Sequence, residues 1–97
     1  MGVLSHLGQY QGTVEADKNL IDVFKQREIE RHENSFLKFS PLVIKKLGIR
    51  CEQGTMVEIN GDSITINSGI FELGFEVMDV TSLVFPSATE VDIIYGY

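Results

Sequence analysis

Few residues of this chain have side chains suited to catalysis or metal binding, and they are scattered. The two histidines are His6 and His32, and the single cysteine is Cys51. Neither histidine has a cysteine or another histidine at a metal-ligand spacing, and one cysteine cannot form an internal disulfide. Glu28 and His32 are four residues apart and would be neighbours on a helix, where we interpret them as a solvated ion-pair cluster. The sequence therefore predicts no metal site and no cofactor.

The sequence also lacks the common catalytic motifs. No G-x-S-x-G, P-loop or G-x-G-x-x-G is present. Asn60, Asp62 and Ser63 have the ligand types of a calcium loop but not its spaced acids, and a hairpin explains all three. Cys51 has only Arg50 as a basic neighbour, on the opposite face of a strand, so we interpret it as a structural thiol. We therefore predict that the chain is not an enzyme and assign no catalytic residue.

Length and composition indicate one small folded domain. The chain has 97 residues, of which 43% are hydrophobic and 23% charged. At this length folding hides roughly 65% of the surface of the open chain, which is enough for one core. Nowhere do about 18 apolar residues run together, so we predict no transmembrane helix and no membrane partner.

Charge is divided unequally along the chain. All eight basic residues and six of the fourteen acids precede Cys51, which leaves residues 1–50 with two net positive charges. Residues 51–97 carry eight acids and no basic residue. Phosphate contacts need Lys or Arg, so we expect no nucleic acid to bind through the C-terminal half. The acidic half either keeps a small protein soluble or meets a basic surface on a neighbouring subunit or partner.

Residues 1–16 have the composition of an extended arm. They contain three glycines, one charged side chain and no helical or strand period. Their apolar side chains are too many for a solvated tail, so we predict that the arm packs on another subunit or partner and is disordered in an isolated monomer. The predicted assembly residues are Val3, Leu4, Leu7, Tyr10 and Val14.

Residues 17–34 form a charged segment that contains no glycine or proline. Asp17 is a candidate helix cap, and Leu20, Ile21 and Phe24 would share one helical face. The next positions of that face, Arg27 and Glu28, are both charged, so a short helix and a short strand at residues 20–24 remain alternatives. We expect a short helix, with the charges of residues 25–33 on a solvated face.

Residues 35–97 have the pattern of a β domain. Apolar and β-branched clusters recur at short intervals, most of them separated by Gly, Pro, Asn, Asp or Ser. The connections are too short for helical crossovers, which favours antiparallel pairing. The predicted fold class is mainly β, a small antiparallel β-sandwich or barrel with an N-terminal extended arm and a possible short helix. The clusters are Phe36–Phe39, Leu42–Leu47, Met56–Ile59, Ile64–Ile66, Ile70–Phe75, Val80–Phe85 and Val91–Tyr95.

A β-hairpin is predicted within residues 57–66, with two possible registers. Asn-Gly is the stronger turn dipeptide, and a turn at Asn60 and Gly61 would pair Ile59 with Asp62. A turn at Gly61 and Asp62 would instead pair Ile59 with Ile64. We prefer this second register because it places apolar side chains opposite one another.

Six short elements follow in order within residues 42–95, and together they resemble a known kind of domain. The pattern is similar to a small β domain of virion and tail-associated proteins of phages and prophages of Gram-positive bacteria. The chain departs from it at residues 51–53, where proline is usual, and at Phe71, where tyrosine is frequent. The elements are Leu47-Gly48-Ile49, Gly54-Thr55, Ile59-Asn60-Gly61, Gly69-Ile70-Phe71-Glu72-Leu73, Val80-Thr81-Ser82-Leu83-Val84-Phe85 and Val91-Asp92-Ile93-Ile94-Tyr95.

The resemblance implies a structural role in a phage particle, in the tail, baseplate, neck or capsid surface. It carries no catalytic residue and does not extend to residues 1–34. We therefore expect a non-enzymatic virion protein that assembles in multiple copies with itself and with other virion proteins. The alternative is a stand-alone module that binds a carbohydrate or a host protein, which an exposed aromatic patch on a sheet would favour.

Overall fold

A computed structural model describes residues 6–32, 36–74 and 78–97 of the chain. Within them it contains seven strands, one α-helix and a short 3-10 helix at Phe36–Lys38. The helix α1 spans Leu20–Arg31 and is too short to cross a membrane. The strands are β1 (Leu7–Val14), β2 (Lys46–Cys51), β3 (Thr55–Ile59), β4 (Asp62–Ile66), β5 (Ile70–Leu73), β6 (Leu83–Val84) and β7 (Thr89–Gly96).

The strands form two antiparallel sheets. One sheet has the order β1-β7-β2-β5, and the other has the order β4-β3-β6. Every pairing between neighbouring strands is antiparallel. The prediction of a mainly β, antiparallel, sandwich-like fold with one short helix is confirmed.

One core joins both sheets and the helix. Along β7 the side chains of Val91, Ile93 and Tyr95 are buried, while Asp92 and Ile94 point outward. This alternation is the period of a strand with one buried face. The three-stranded sheet contributes Val57, Ile59, Ile66 and Leu83 to the same core. Burial of each large aliphatic side chain stabilises the fold by roughly 1.5–3 kcal/mol.

The helix is capped by Asn19 and not by Asp17. The Asn19 side-chain oxygen accepts hydrogen bonds from the backbone N–H of Ile21 and of Leu83, both at 3.1 Å. Asp17 lies in a left-handed turn with φ of 60° and donates its backbone N–H to the carbonyl of Phe85. The cap therefore also ties the start of the helix to β6.

The hairpin adopts the register that turn chemistry favours, so the preferred register is wrong. Val57 pairs with Ile64, and Ile59 pairs with Asp62. Asn60 and Gly61 have φ of 51° and 87°, as a two-residue turn with two left-handed positions requires. The two registers differ by two residues, so the apolar side chains keep the same face in both. Turn geometry decided the register because burial did not distinguish the alternatives.

The predicted arm is a strand of the domain over the part that the structure describes. β1 pairs with β7 along all eight of its residues, and Val14 is buried in the core. Gly8 pairs with Tyr95, and a Cβ on Gly8 would overlap the tyrosine ring. This segment is a strand although its sequence shows no alternation of apolar and polar residues. The alternation is hidden because glycine occupies two of the inward positions, Gly8 and Gly12. Val3 and Leu4 lie outside the described residues.

The domain consequently begins before residue 35. β1 and α1 both contribute buried side chains to the core, so the prediction of a β domain at residues 35–97, separate from an arm and a charged segment, is wrong. The outer edge of β1 is held by α1. Arg27 donates to the carbonyl of Gln9 at 2.9 Å, and Arg31 donates to the carbonyl of Leu7 at 3.1 Å. These two arginines bind carbonyls that an edge strand otherwise offers to another chain.

Candidate functional site: a buried carboxylate cluster and an exposed sheet face

A buried acid lies on the inner face of α1. Leu20, Phe24 and Glu28 are spaced four residues apart and are all buried, so the apolar stripe continues through a carboxylate. Glu28 is 1% exposed and is the only buried charged residue in the described part of the chain. The predictions that Glu28 belongs to a solvated face and a solvated ion-pair cluster are wrong. Phe24 stacks on Tyr95 with ring centroids 4.3 Å apart, which brings β7 alongside the helix.

The Glu28 carboxylate accepts hydrogen bonds on both oxygens. The Tyr95 hydroxyl donates to Oε2 at 2.8 Å, and the Tyr97 hydroxyl donates to Oε1. Arg31 donates to Oε2 at 3.2 Å from the next turn of the helix. We call Glu28, Arg31, His32, Tyr95 and Tyr97 the Glu28 cluster. A buried charge is tolerated when hydrogen bonds and an opposite charge replace water, and this cluster provides both.

The two tyrosines of the cluster resist ionisation. Burial raises the pKa of Tyr95 to about 12, and the hydrogen bond to Glu28 and the charge of Glu28 add to the rise. The same causes, burial first, raise the pKa of Tyr97. A phenolate beside a buried carboxylate would place two negative charges together, which favours the neutral hydroxyl. Both tyrosines therefore act as hydrogen-bond donors at neutral pH.

His6 lies beside His32 of this cluster, although the two histidines are far apart in sequence. The rings of His6 and His32 have centroids 4.4 Å apart, and His6 is 5.3 Å from the ring of Tyr97. His32 Nε2 is 3.8 Å from Glu28 Oε1, has no hydrogen-bond partner and is buried. Among residues 6–32, 36–74 and 78–97, no group of three or more His, Cys, Asp or Glu side chains is arranged for a metal ion.

The geometry of the Glu28 cluster supports a structural role. His6 and Tyr97 exchange two backbone hydrogen bonds of 3.0 and 3.1 Å, so the pairing of β1 with β7 extends to these residues. Glu28 then holds the hydroxyls of Tyr95 and Tyr97 against the helix. The Glu28 carboxylate is 1% exposed and accepts hydrogen bonds from two hydroxyls and a guanidinium, so its oxygens are occupied by groups of the fold. The cluster joins β1, α1 and β7.

The outward side of the four-stranded sheet has the opposite character, and we call it the outer face. Leu7, Ile70 and Ile94 lie on it with 58%, 55% and 51% of their surface exposed. Ile94 pairs with Gly48 of β2, which has no side chain to cover it. The charged and polar side chains of the outer face are Gln9, Gln11, Thr13, Lys46, Arg50, Glu72, Glu90 and Asp92.

A groove crosses the outer face above Gly48. It has a volume of about 480 Å³ and is lined by Leu7, Leu47, Leu73 and Ile94 among others. A second depression of about 230 Å³ continues from it to Ile70. The nearest atom to a Cβ built on Gly48 is 3.9 Å away, so the floor of the groove is open. Apolar walls and an open floor make this groove a candidate contact site.

Polar contacts hold β1 to β7 beside this groove. Gln9 and Gln11 donate their side-chain amides to the two oxygens of Asp92 at 2.9 and 3.3 Å. These hydrogen bonds lower the pKa of Asp92, with a smaller contribution from the charge of Arg50. The outer face is therefore ordered around its apolar residues by amide–carboxylate contacts.

The residues predicted for an assembly arm do not form one surface. Leu7 points outward, Tyr10 is half-buried 6.0 Å from Phe24, and Val14 is in the core. Cys51 is a free, half-buried thiol that packs against the core, as the structural interpretation requires. Sequence reasoning missed the burial of Glu28, although its spacing from Phe24 and the closely spaced C-terminal tyrosines were visible signals.

Comparison with known proteins does not place the chain in a family. No protein-family model, no curated protein and no solved structure matches it.

Proposed function

We propose that this chain is a non-enzymatic structural protein that assembles in multiple copies as part of a phage particle. The observation that carries the proposal is the outer face, where Leu7, Ile70 and Ile94 are more than half exposed around an open groove. Exposed apolar side chains gathered around a groove, with polar residues at its margin, are typical of protein contact sites. The similarity of residues 42–95 to a phage virion domain supports the particle as the place of assembly.

The charges of the outer face suit contact with another copy of the chain. Lys46 and Arg50 lie on β2, while Glu72 lies on β5 and Asp92 on β7. A surface that carries both signs can meet a second copy without like charges dominating the contact. The alternative of a carbohydrate- or host-binding module called for an exposed aromatic patch. The outward positions of the described strands carry aliphatic, polar and charged side chains.

Sedimentation velocity over a range of concentrations tests self-assembly. The wild-type chain is expected to exceed its monomer mass of 10.9 kDa as concentration rises. Ile94→Lys should keep the chain monomeric, because it places a charge in the apolar groove. The matched control is Met56→Lys, since Met56 has the same 51% exposure on the other sheet. A wild-type chain that stays monomeric at every concentration would contradict the proposal of self-assembly.

Labelling of particles tests the phage assignment. Antibodies against the chain are applied to particles released from a bacterial strain that encodes it, and the particles are viewed by electron microscopy. Regularly spaced label on the particles supports a virion protein. Label that remains with soluble protein, with none on intact or opened particles, contradicts it.

A further inference from the structure

A single aromatic side chain projects from the chain far more than any other large apolar residue that the structure describes. Phe39 is 90% exposed and directly follows the 3-10 helix at Phe36–Lys38. Leu37, within that helix, is 2% exposed and anchors it to the core. The loop therefore presents Phe39 from a fixed base. Aromatic residues on such a base are typical anchors of protein interfaces, since their burial removes a large apolar area from water.

The groove above Gly48 fits a side chain of this kind. Its volume of about 480 Å³ lies within the range of roughly 300–1,000 Å³ found for ligand pockets. The aliphatic side chains that project beside it are those of Leu7 and Ile94, and its floor at Gly48 is open. Leu47 and Leu73 also border it, with side chains that pack towards the core. A phenyl ring seated there would cover the exposed surface of Leu7 and Ile94 together.

Phe39 does not occupy the groove of its own chain. It does not line the groove, and its 90% exposure means that it is covered by nothing described. The 3-10 helix contacts α1, which packs against Tyr95 on the inward side of β7. Ile94 and the groove are on the outward side of the same strand. The ring and the groove thus belong to different surfaces of the molecule.

Charges beside the two features are complementary. Lys38 is exposed next to Phe39, and the groove carries one exposed acid, Glu72, and one exposed base, Lys46. Glu72 is therefore the groove residue that can pair with Lys38. Neither side chain forms an ion pair with another described residue. The pairing of Lys38 with Glu72 of a second copy would join the basic half of one chain to the acidic half of the next.

We propose that Phe39 of one copy inserts into the outer-face groove of the next copy, with Lys38 beside Glu72, so that copies join head to tail. Because the two contact surfaces differ, each copy in a pair keeps one of them free, and added copies then close a ring or extend a filament. This inference rests on the proposed function and specifies its contact.

The test uses two variants that are each defective in one half of the contact. Phe39→Ala removes the inserted ring, and Gly48→Phe fills the groove from its floor. Each is expected to associate about 30-fold more weakly than wild type, as expected when a dominant interface aromatic is lost. Met56→Ala, on the other sheet, is the control and should assemble as wild type does. Circular dichroism melting checks that each variant is folded, and Ile94→Lys replaces Gly48→Phe if that variant is not.

Mixing the two variants gives the sharpest result. Phe39 of the groove-filled variant should enter the intact groove of the Phe39→Ala variant, so an equimolar mixture forms dimers while each variant alone is monomeric. Lys38→Glu should also weaken assembly, and adding Glu72→Lys should restore it.

Two results would overturn the inference while leaving self-assembly intact. One is a Phe39→Ala variant that assembles as wild type does. The other is a mixture that remains monomeric, because the intact Phe39 of one variant then fails to bind the intact groove of the other. A wild-type chain that never assembles overturns both the inference and the proposal of self-assembly.

Discussion

The Glu28 cluster and the outer face lie on opposite sides of β7. The first buries a charged group, and the second exposes apolar side chains. Tyr95 points inward from β7 to a buried carboxylate, while its neighbour Ile94 points outward and is half exposed. One region buries charge and the other exposes apolar surface. Each arrangement is unfavourable unless other groups compensate for it.

The two regions differ in whether the compensation lies inside the chain. Glu28 receives hydrogen bonds from Tyr95, Tyr97 and Arg31, so its burial is satisfied by the fold itself. Leu7, Ile70 and Ile94 remain more than half exposed, so no described part of the chain covers them. A buried charge whose hydrogen bonds are all provided by the fold indicates a structural role. A group of apolar side chains that the fold leaves exposed indicates a contact surface. The difference supports a structural role for the first region and is the basis of the assembly contact that we propose for the second.

The largest effect is expected from removing β1, because that strand contributes to both regions. Deletion of residues 2–16 removes one of the two strands that pair with β7 and uncovers Tyr95, which packs against Gly8. We expect the cooperative unfolding transition to disappear, as measured by circular dichroism on heating. Leu7→Ser is the control, since it changes an outward side chain of the same strand and should alter stability by about 0.5 kcal/mol or less. A truncated chain that melts as the full-length chain does would show that β1 is an accessory arm.

Glu28→Ala should destabilise the fold strongly. It leaves the hydroxyls of Tyr95 and Tyr97 buried without their acceptor, and each unsatisfied group costs about 1–3 kcal/mol. We expect a loss of about 3 kcal/mol in the free energy of unfolding, measured by urea titration. Glu30→Ala, an exposed acid on the same helix, is the matched control with an expected change of about 0.5 kcal/mol or less. Equal stability of the two variants would contradict the structural role of the cluster.

High pH should destabilise the Glu28 cluster by a smaller amount. Burial and Glu28 raise the pKa of Tyr95 to about 12 from an ordinary value of 10.0, so the unfolded chain loses this proton first. The stabilisation is complete below about pH 10 and is lost as the pH rises towards 12, on the order of 2 kcal/mol in all. Urea titrations at several pH values measure the slope, and Tyr95→Phe should flatten it. An unchanged slope in that variant would show that Tyr95 does not report on the cluster.

The smallest effect on stability is expected at the outer face. Ile94→Lys changes a side chain that is already half exposed, so the free energy of unfolding should change by about 0.5 kcal/mol or less. The same variant should lose self-assembly, which separates the two regions by their measured effects. Urea titration of the monomer provides the value. A loss comparable with that of Glu28→Ala would place Ile94 in the core.

Local sequence determined the elements whose signal lies within a few residues. Apolar clusters separated by turn residues predicted an antiparallel β domain. The Asn60-Gly61 dipeptide fixed the hairpin, whose turn we first placed one residue later, at Gly61 and Asp62. The propensity of residues 17–34 predicted the helix. These features follow from backbone geometry and alternation, which neighbouring residues set among themselves.

Only the tertiary structure reveals the Glu28 cluster and the outer face. In the sequence Glu28 is one of many charges in a charged segment. Its role as a buried hydrogen-bond acceptor could not be predicted, because the donors are tyrosines about seventy residues away. Leu7 and Ile94 likewise become one surface only when β1 pairs with β7. Burial and exposure are set by long-range pairing, and a side chain's spacing along the chain does not contain that information.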